Sequence, residues 1–216
     1  MNDIFFFSAP QLKRGPLGGT VTLECFVRSR HIVAVLMLLP SALVTQTSGR
    51  SHRWEIAAVA GHVTADGDDF QAIKDAFGYG GIVRARVGGG FSLGVGIHYS
   101  DHGLVSLPEH LHIRAWYGEA RCSLRIAGSP IMGYVGLRGG PVHEDVTIVN
   151  WKANGTVWGI TSGLDWQLVS HLGLELQASE SALRFGDVRG ADGSVISGTA
   201  ARGSSFNVHA ALLVRF

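Results

Sequence analysis

The run Ile97-His-Tyr-Ser-Asp-His-Gly-Leu104 brings imidazoles, a hydroxyl and a carboxylate together and is the richest string of reactive side chains in the chain. If the hairpin that follows closes about Val105, His98 comes near His110 and His112. Three imidazoles so placed suit a transition metal. With 10 His in the chain, however, His-x-His pairs arise by chance, and no metal site is expected. Asp66, Asp68, Asp69 and Asp75 supply hard oxygen donors of the kind calcium takes. They lack the Gly and Glu positions of a calcium-binding loop, so a solvated acidic loop is expected instead. Gly88-Gly-Gly90 is not a phosphate cradle, because no helix follows it. It reads as a turn, as does Asn154-Gly155. No catalytic, cofactor-binding or metal residue is assigned on these grounds.

The elements that carry these residues alternate with a period of two, the signature of strands. In Phe91–Ser100 the residues Phe91, Leu93, Val95, Ile97 and Tyr99 oppose Ser92, Gly94, Gly96, His98 and Ser100. In the last segment Phe206, Val208, Ala210, Leu212, Val214 and Phe216 oppose Asn207, His209, Ala211, Leu213 and Arg215. Similar alternation fills Trp54–Gly61, Gly80–Val87, Ile131–Gly139, Trp158–Leu168 and Leu174–Phe185. In His110–Gly118, Leu111, Ile113, Ala115 and Tyr117 take the apolar face against His110, His112, Arg114 and Trp116. The pattern falters at Glu119–Arg125 and Glu180–Phe185, where a bulge or a strand end would account for it.

These eight strands are joined alternately by short and long connections. The short ones lie at Gly88–Gly90, Ala127–Pro130 and Ser170–Gly173; the long ones at Thr64–Gly78, Asp101–Glu109, Pro141–Asn154 and Asp187–Gly203. Such a meander predicts an all-β fold: an eight-stranded antiparallel up-and-down transmembrane barrel with four long external loops and three short periplasmic turns. Closure follows because lipid satisfies no open sheet edge.

Composition agrees. The 216 residues are 46% hydrophobic and only 16% charged, with 30 Gly, 2 Cys and a net charge of +1. That excludes a disulfide framework and gives no electrostatic footprint for nucleic acid. No apolar run reaches the roughly 18 residues of a spanning helix. The longest, Ile32–Val44, follows Arg28, Arg30 and His31 and precedes small polar residues, which reads as a secretory signal over 27–50, cleaved within Thr45–Ser51. Residues 1–26, aperiodic and rich in Pro and Gly, read as a mis-annotated leader with translation starting near Val27. The barrel is expected over 51–216, where Cys122 is the single cysteine.

Alternation alone does not say which face meets lipid. Lys is scarce (Lys13, Lys74 and Lys152), and the polar faces are rich in Gly, Ser and Arg. Small residues suit the narrow interior of an eight-stranded barrel. Trp54, Trp158, Trp166, Tyr99, Tyr117, Phe91 and Phe216 fall near strand ends on the apolar face, as interfacial girdles do. Apolar-out is therefore expected. The lumen would then hold Glu55, Asp165 and Glu175 with Arg84, Arg86, Arg114, Arg138 and Arg215, paired as a plug.

On strand count, loop asymmetry and the ending Val208-His-Ala-Ala-Leu-Leu-Val-Arg-Phe216, residues Arg53–Phe216 resemble the small outer-membrane barrels of the OmpA/OmpX type. The resemblance implies an outer-membrane location after signal cleavage and a structural or surface-interaction role without catalysis. It also implies contact with outer-membrane lipid and lipopolysaccharide, extracellular partners on the loops, and recognition of the terminal Phe216 strand by the assembly machinery. No periplasmic peptidoglycan-binding domain is expected beyond Phe216. A second resemblance, of His98-x-Ser100, is to the outer-membrane lipid A 3-O-deacylases. It would make His98 the base, Ser100 the nucleophile and Glu109 the orienting group. The motif lies on the third strand here and near the C-terminus in that family, and the expected phase turns it away from lipid. A narrow channel through the lumenal Arg residues is the other alternative.

Overall fold

The computed structural model describes residues 52–105, 110–126, 128–146, 150–196 and 198–216. The leader, the signal segment and Glu109 lie outside these residues. Eight long strands carry the fold: β1 (Trp54–Asp66), β2 (Ala76–Gly88), β3 (Phe91–Gly103), β4 (His110–Arg125), β5 (Ile131–Val146), β6 (Trp151–Gln167), β7 (Leu172–Phe185) and β10 (Arg202–Arg215). Each pairs antiparallel with its chain neighbour, and β10 returns to β1 to close the ring. The seam is fastened at its end by reciprocal bonds between Trp54 and Phe216, at 3.0 and 3.1 Å. A small hairpin, β8 (Val188–Arg189) and β9 (Val195–Ile196), attaches to β6. At its tip Asp192 accepts from the Ser194 hydroxyl and amide, and those bonds hold its carboxyl below the usual range.

The short turns sit where the sequence places them. Gly88, Gly89 and Gly90 all take positive φ, the left-handed backbone that glycine reaches without penalty. At the opposite end the strands run further than expected. β5 continues to Val146 and β6 begins at Trp151, so most of the expected Pro141–Asn154 loop is strand.

The faltering stretches contain no bulge: β4 pairs with β3 and β5, and β7 with β6 and β10, without a shift of register. What changes along the strand is polarity. In the half nearer the short turns, apolar residues point out: Val95 is 70% exposed and Leu137 65%. Glu55, Arg84, Glu119, Arg121, Asp165, Glu175 and Arg215 point in and are buried. In the half nearer the long loops the order inverts. Leu111, Ile113, Val142, Ala153, Val157, Leu183 and Phe185 point in and form one cluster, capped by Phe70 from the β1–β2 connection. His62, His110, His112, Arg114, Asn154, Thr156 and Arg184 point out.

Two expectations for β4 are thereby corrected. Leu111, Ile113 and Tyr117 face the lumen, and Arg114 is outside it, over the Tyr99 ring at 5.2 Å. A strand that leaves lipid for water must exchange its faces, which reads in sequence as a break in phase. Tyr117 is accordingly not a girdle residue; its ring lies beside the Arg138 guanidinium inside.

Candidate functional site

Above the turns the lumen is filled by charge. Arg84 Nη1 donates to Glu55 at 2.9 Å, its Nε to Glu119 at 2.8 Å, and both its terminal nitrogens to Glu175 at 3.1 Å. Arg121 donates to Glu175 at 2.7 Å and to Glu55 at 2.9 Å, and also reaches the Ser92 hydroxyl at 3.2 Å. Arg215 donates to Glu55 at 2.9 Å and to Asp165. The Tyr134 ring lies 4.5 Å from the Arg121 guanidinium carbon. Each of the eight barrel strands thus supplies a member. Taking such charges out of water is costly, and only dense mutual bonding offsets it. Glu119 and Arg121 are members that the sequence reading missed. Their alternation with Ala120 and Cys122 carries the signal, obscured by the phase assumed from the other half of β4.

Further along the axis lie Ala57, Val59, Ile82, Ala211 and Leu213, a small apolar layer. Beyond it is a small, mostly apolar cavity of about 50 Å³, walled by Ile113, Tyr117, Val142, Val157 and Leu183 and edged by His98, Ser100, His102, Arg138, Ser181 and Asn207. His98 packs against His209, with ring centroids 4.9 Å apart. Gly78 makes room for this, since a Cβ there would lie 2.5 Å from His98 Nε2. Arg138 donates to Ser179 Oγ. The apolar cluster under Phe70 closes this level from the long-loop end.

The proposed reactive residues are not assembled as the deacylase resemblance implies. His98 and Ser100 both face the lumen. Ser100 Oγ lies 3.0 Å from Nε2 of His102, whose Nδ1 lies 2.9 Å from the Lys74 carbonyl. That carbonyl accepts only from Nδ1–H, leaving Nε2 to accept from the Ser100 hydroxyl. His102, 0% exposed, is the partner that the sequence reading did not single out, and the pair is walled off from lipid by the barrel. The imidazole trio is separated too: His110 and His112 point outward, opposite to His98, at 2.9 and 3.5 Å from Asp101. The acidic residues of the first connection hold backbone: Asp66 accepts from the Gly67 amide and Asp69 from the Arg202 amide.

On the outside, the apolar half is bounded by aromatic side chains. Trp54, Phe91, Trp166 and Phe216 lie toward the turns; Tyr79, Tyr99, Trp116, Trp158 and Phe206 lie toward the loops. Trp158 and Trp166 share one face of β6, and at about 3.3 Å per residue and a tilt of about 35–45° they stand roughly 20 Å apart in height. A band of that size between aromatic girdles matches a lipid-spanning barrel.

Among solved structures the chain is similar to Neisserial surface protein A, at 16% identity over 76% of this chain and 97% of that one, with a TM-score of 0.61. The chain has the fold of the small eight-stranded outer-membrane barrels. Matches to the N-terminal barrel domain of Pseudomonas aeruginosa OprF (15% identity, 77% of this chain, 100% of that one, TM-score 0.42) are looser. So are those to Ail of Yersinia pestis, solved with the heparin analogue sucrose octasulfate (12%, 74%, 96%, TM-score 0.44). No protein-family model matches the sequence. No curated protein matches it either.

Proposed function

We propose that this barrel resides in the outer membrane with a structural or surface-interaction role, a plugged lumen and no catalysis. The observation that carries this reading is the lumen itself, where a bonded charge network and an apolar cap lie in series. An ion path would have to break both. The orientation of His98 and Ser100 toward the axis argues against acyl-chain hydrolysis, because acyl chains lie outside the wall.

Contact with lipopolysaccharide is supported by Arg114, which stands outward on the Tyr99 ring, itself stacked on Tyr79 at 5.7 Å. A cation held at an aromatic girdle is suited to an anionic headgroup. Partners in the medium would meet the loop-end residues. The terminal Phe216, 55% exposed at the seam, is suited to recognition by the assembly machinery.

Two measurements test the proposal. Protein from the outer-membrane fraction should migrate faster unboiled than boiled on a denaturing gel. Reconstituted in planar bilayers, it should give no discrete conductance steps. Steps at millivolt potentials, or loss of an acyl chain from lipid A on expression, would overturn the plugged, non-catalytic reading.

A further inference from the structure

Around the loop-side rim of the wall, several outward bases stand beside an acid or a ring. His62 lies 3.6 Å from Asp75, His110 lies 2.9 Å from Asp101, and Arg114 covers the Tyr99 ring. Arg184 on β7 and Arg202 on β10 are arranged differently. Both are exposed, and they are direct partners across the two antiparallel strands. Opposed residues of such a pair hold their Cβ atoms about 4.5–5.5 Å apart on one face, and like charges so placed repel. Neither guanidinium makes an ion pair or a hydrogen bond among the described residues. The carboxylates of the adjoining connections are turned to backbone. Asp69 accepts from the Arg202 amide at 2.8 Å, Asp66 from the Gly67 amide at 2.8 Å, and Asp187 from the Gly198 and Ala200 amides at 3.1 Å. On the outward row of β7 the nearest carboxylate, Glu180, is four positions from Arg184, or about 13 Å at the usual rise.

Register sets the height of the pair. Arg184 lies opposite Thr156 on β6 and two positions beyond Ala182, the partner of Trp158. Phe206 precedes Arg202 by four positions on the same outward row. The two guanidiniums therefore stand just outside the loop-side aromatic girdle, where the headgroups of the outer leaflet begin. Further out on the same side, Lys152 faces Arg189 across β6 and β8, with Asp145 as its other neighbour, on β5.

A guanidinium is a planar fork that bonds phosphate oxygens in pairs. A phosphate between two of them replaces a repulsion by two attractions. We propose that Arg184 and Arg202 form a binding site for a phosphate group of the phosphorylated glycolipid of the outer leaflet. The site rests on the outer-membrane reading above and gives its lipid contact a second, separate place on the wall. Both guanidiniums donate to the phosphate oxygens, and the exposed Thr156 presents a hydroxyl beside them. Trp158, Ile160 and Phe206, all exposed below the pair, offer an apolar wall to the chains that the phosphate carries. Lys152 and Arg189 extend the positive field outward, toward the sugars.

The test titrates bisphosphorylated lipid A into the full protein, taken from membranes in detergent and stripped of lipid, and reads bound lipid by native mass spectrometry. The double variant Arg184→Gln, Arg202→Gln should bind about tenfold more weakly than the native chain, the worth of one charge-assisted bond. The native chain should bind dephosphorylated lipid A with the same weakness. Inorganic phosphate at matching concentration should leave the complex intact. Equal affinity of variant and native chain, or of the two lipids, would overturn the site. Displacement by inorganic phosphate would overturn the lipid as its occupant. Unboiled gel mobility reports whether the variant is folded; should it not fold, the two lipids on the native chain decide. A native chain missing from the outer-membrane fraction would sink the location and the site together, whereas a chain present there with binding unaltered in the variant sinks the site alone.

Discussion

Arg84 meets Glu55, Glu119 and Glu175, side chains of three different strands. Its replacement by Ala leaves Glu119 without its cation, and Glu55 and Glu175 with only Arg121 and Arg215 to pair them, in a space that excludes water. Removing one member of a buried ion pair costs about 3–5 kcal/mol, and Arg84→Ala should lower the unfolding free energy by at least that much, measured by urea titration in micelles. Gly78 acts at the same scale but through volume. A methyl group there collides with His98, so Gly78→Ala should cost about 1–3 kcal/mol by overpacking. A thermal midpoint unchanged by that substitution would show that the His98 ring is not held where it is described.

At the scale of the strand, the deciding quantity is which way each residue points, and lipid makes that measurable. Val95 sits in the apolar band with 70% exposure. Val95→Arg should destabilise the barrel by about 2–4 kcal/mol in lipid vesicles. Arg114→Ala, on an outward position of β4 at the loop-side girdle, should cost no more than about 1 kcal/mol, the worth of an exposed cation–ring contact. Equal effects of the two would mean that the outer wall does not face hydrocarbon.

The strands of the lipid band were legible from sequence because one solvent boundary governs their whole length there. Phe91–Tyr99 and Phe206–Phe216 keep apolar residues on the outward row throughout, with only Ala211 and Leu213 interrupting the polar or small inward row. β4 was misread for the complementary reason. Its outward row runs His110, His112, Arg114, Trp116, Gly118, Ala120 and Cys122, polar in water and apolar or small in lipid. Hydrophobicity marks burial from water, and both the lipid face and the apolar cap are buried in that sense, so the signal changes face without any change in the backbone. The network was half legible. The charged residue types were on view, whereas their partners are set by register around a closed ring. His102 lay in the string first noticed, yet only the fold of Lys74 against it selects it over His98.

For the molecule as a whole, the cap and the network act as independent seals. Phe70 is 2% exposed and tilts against Phe185, with ring centroids 6.1 Å apart. Phe70→Ala should cost about 3–5 kcal/mol and admit solvent to the lumenal cavity. In a background with Cys122→Ala, a Ser181→Cys reporter should be inert to a water-soluble thiol reagent in the folded barrel. It should react once Phe70 is truncated. Reaction in both would mean that the loop end is open.

Glu55 belongs to the first strand and Arg215 to the last, and their bond crosses the seam where β1 meets β10. A nascent sheet that has laid down every strand but the final one therefore keeps its acidic core hydrated and short of a cation. The dry state becomes favourable only when the C-terminal segment arrives, so dehydration of the interior is tied to completion of the chain. Premature termination before Arg215 should then leave a wet, open ribbon rather than a smaller ring.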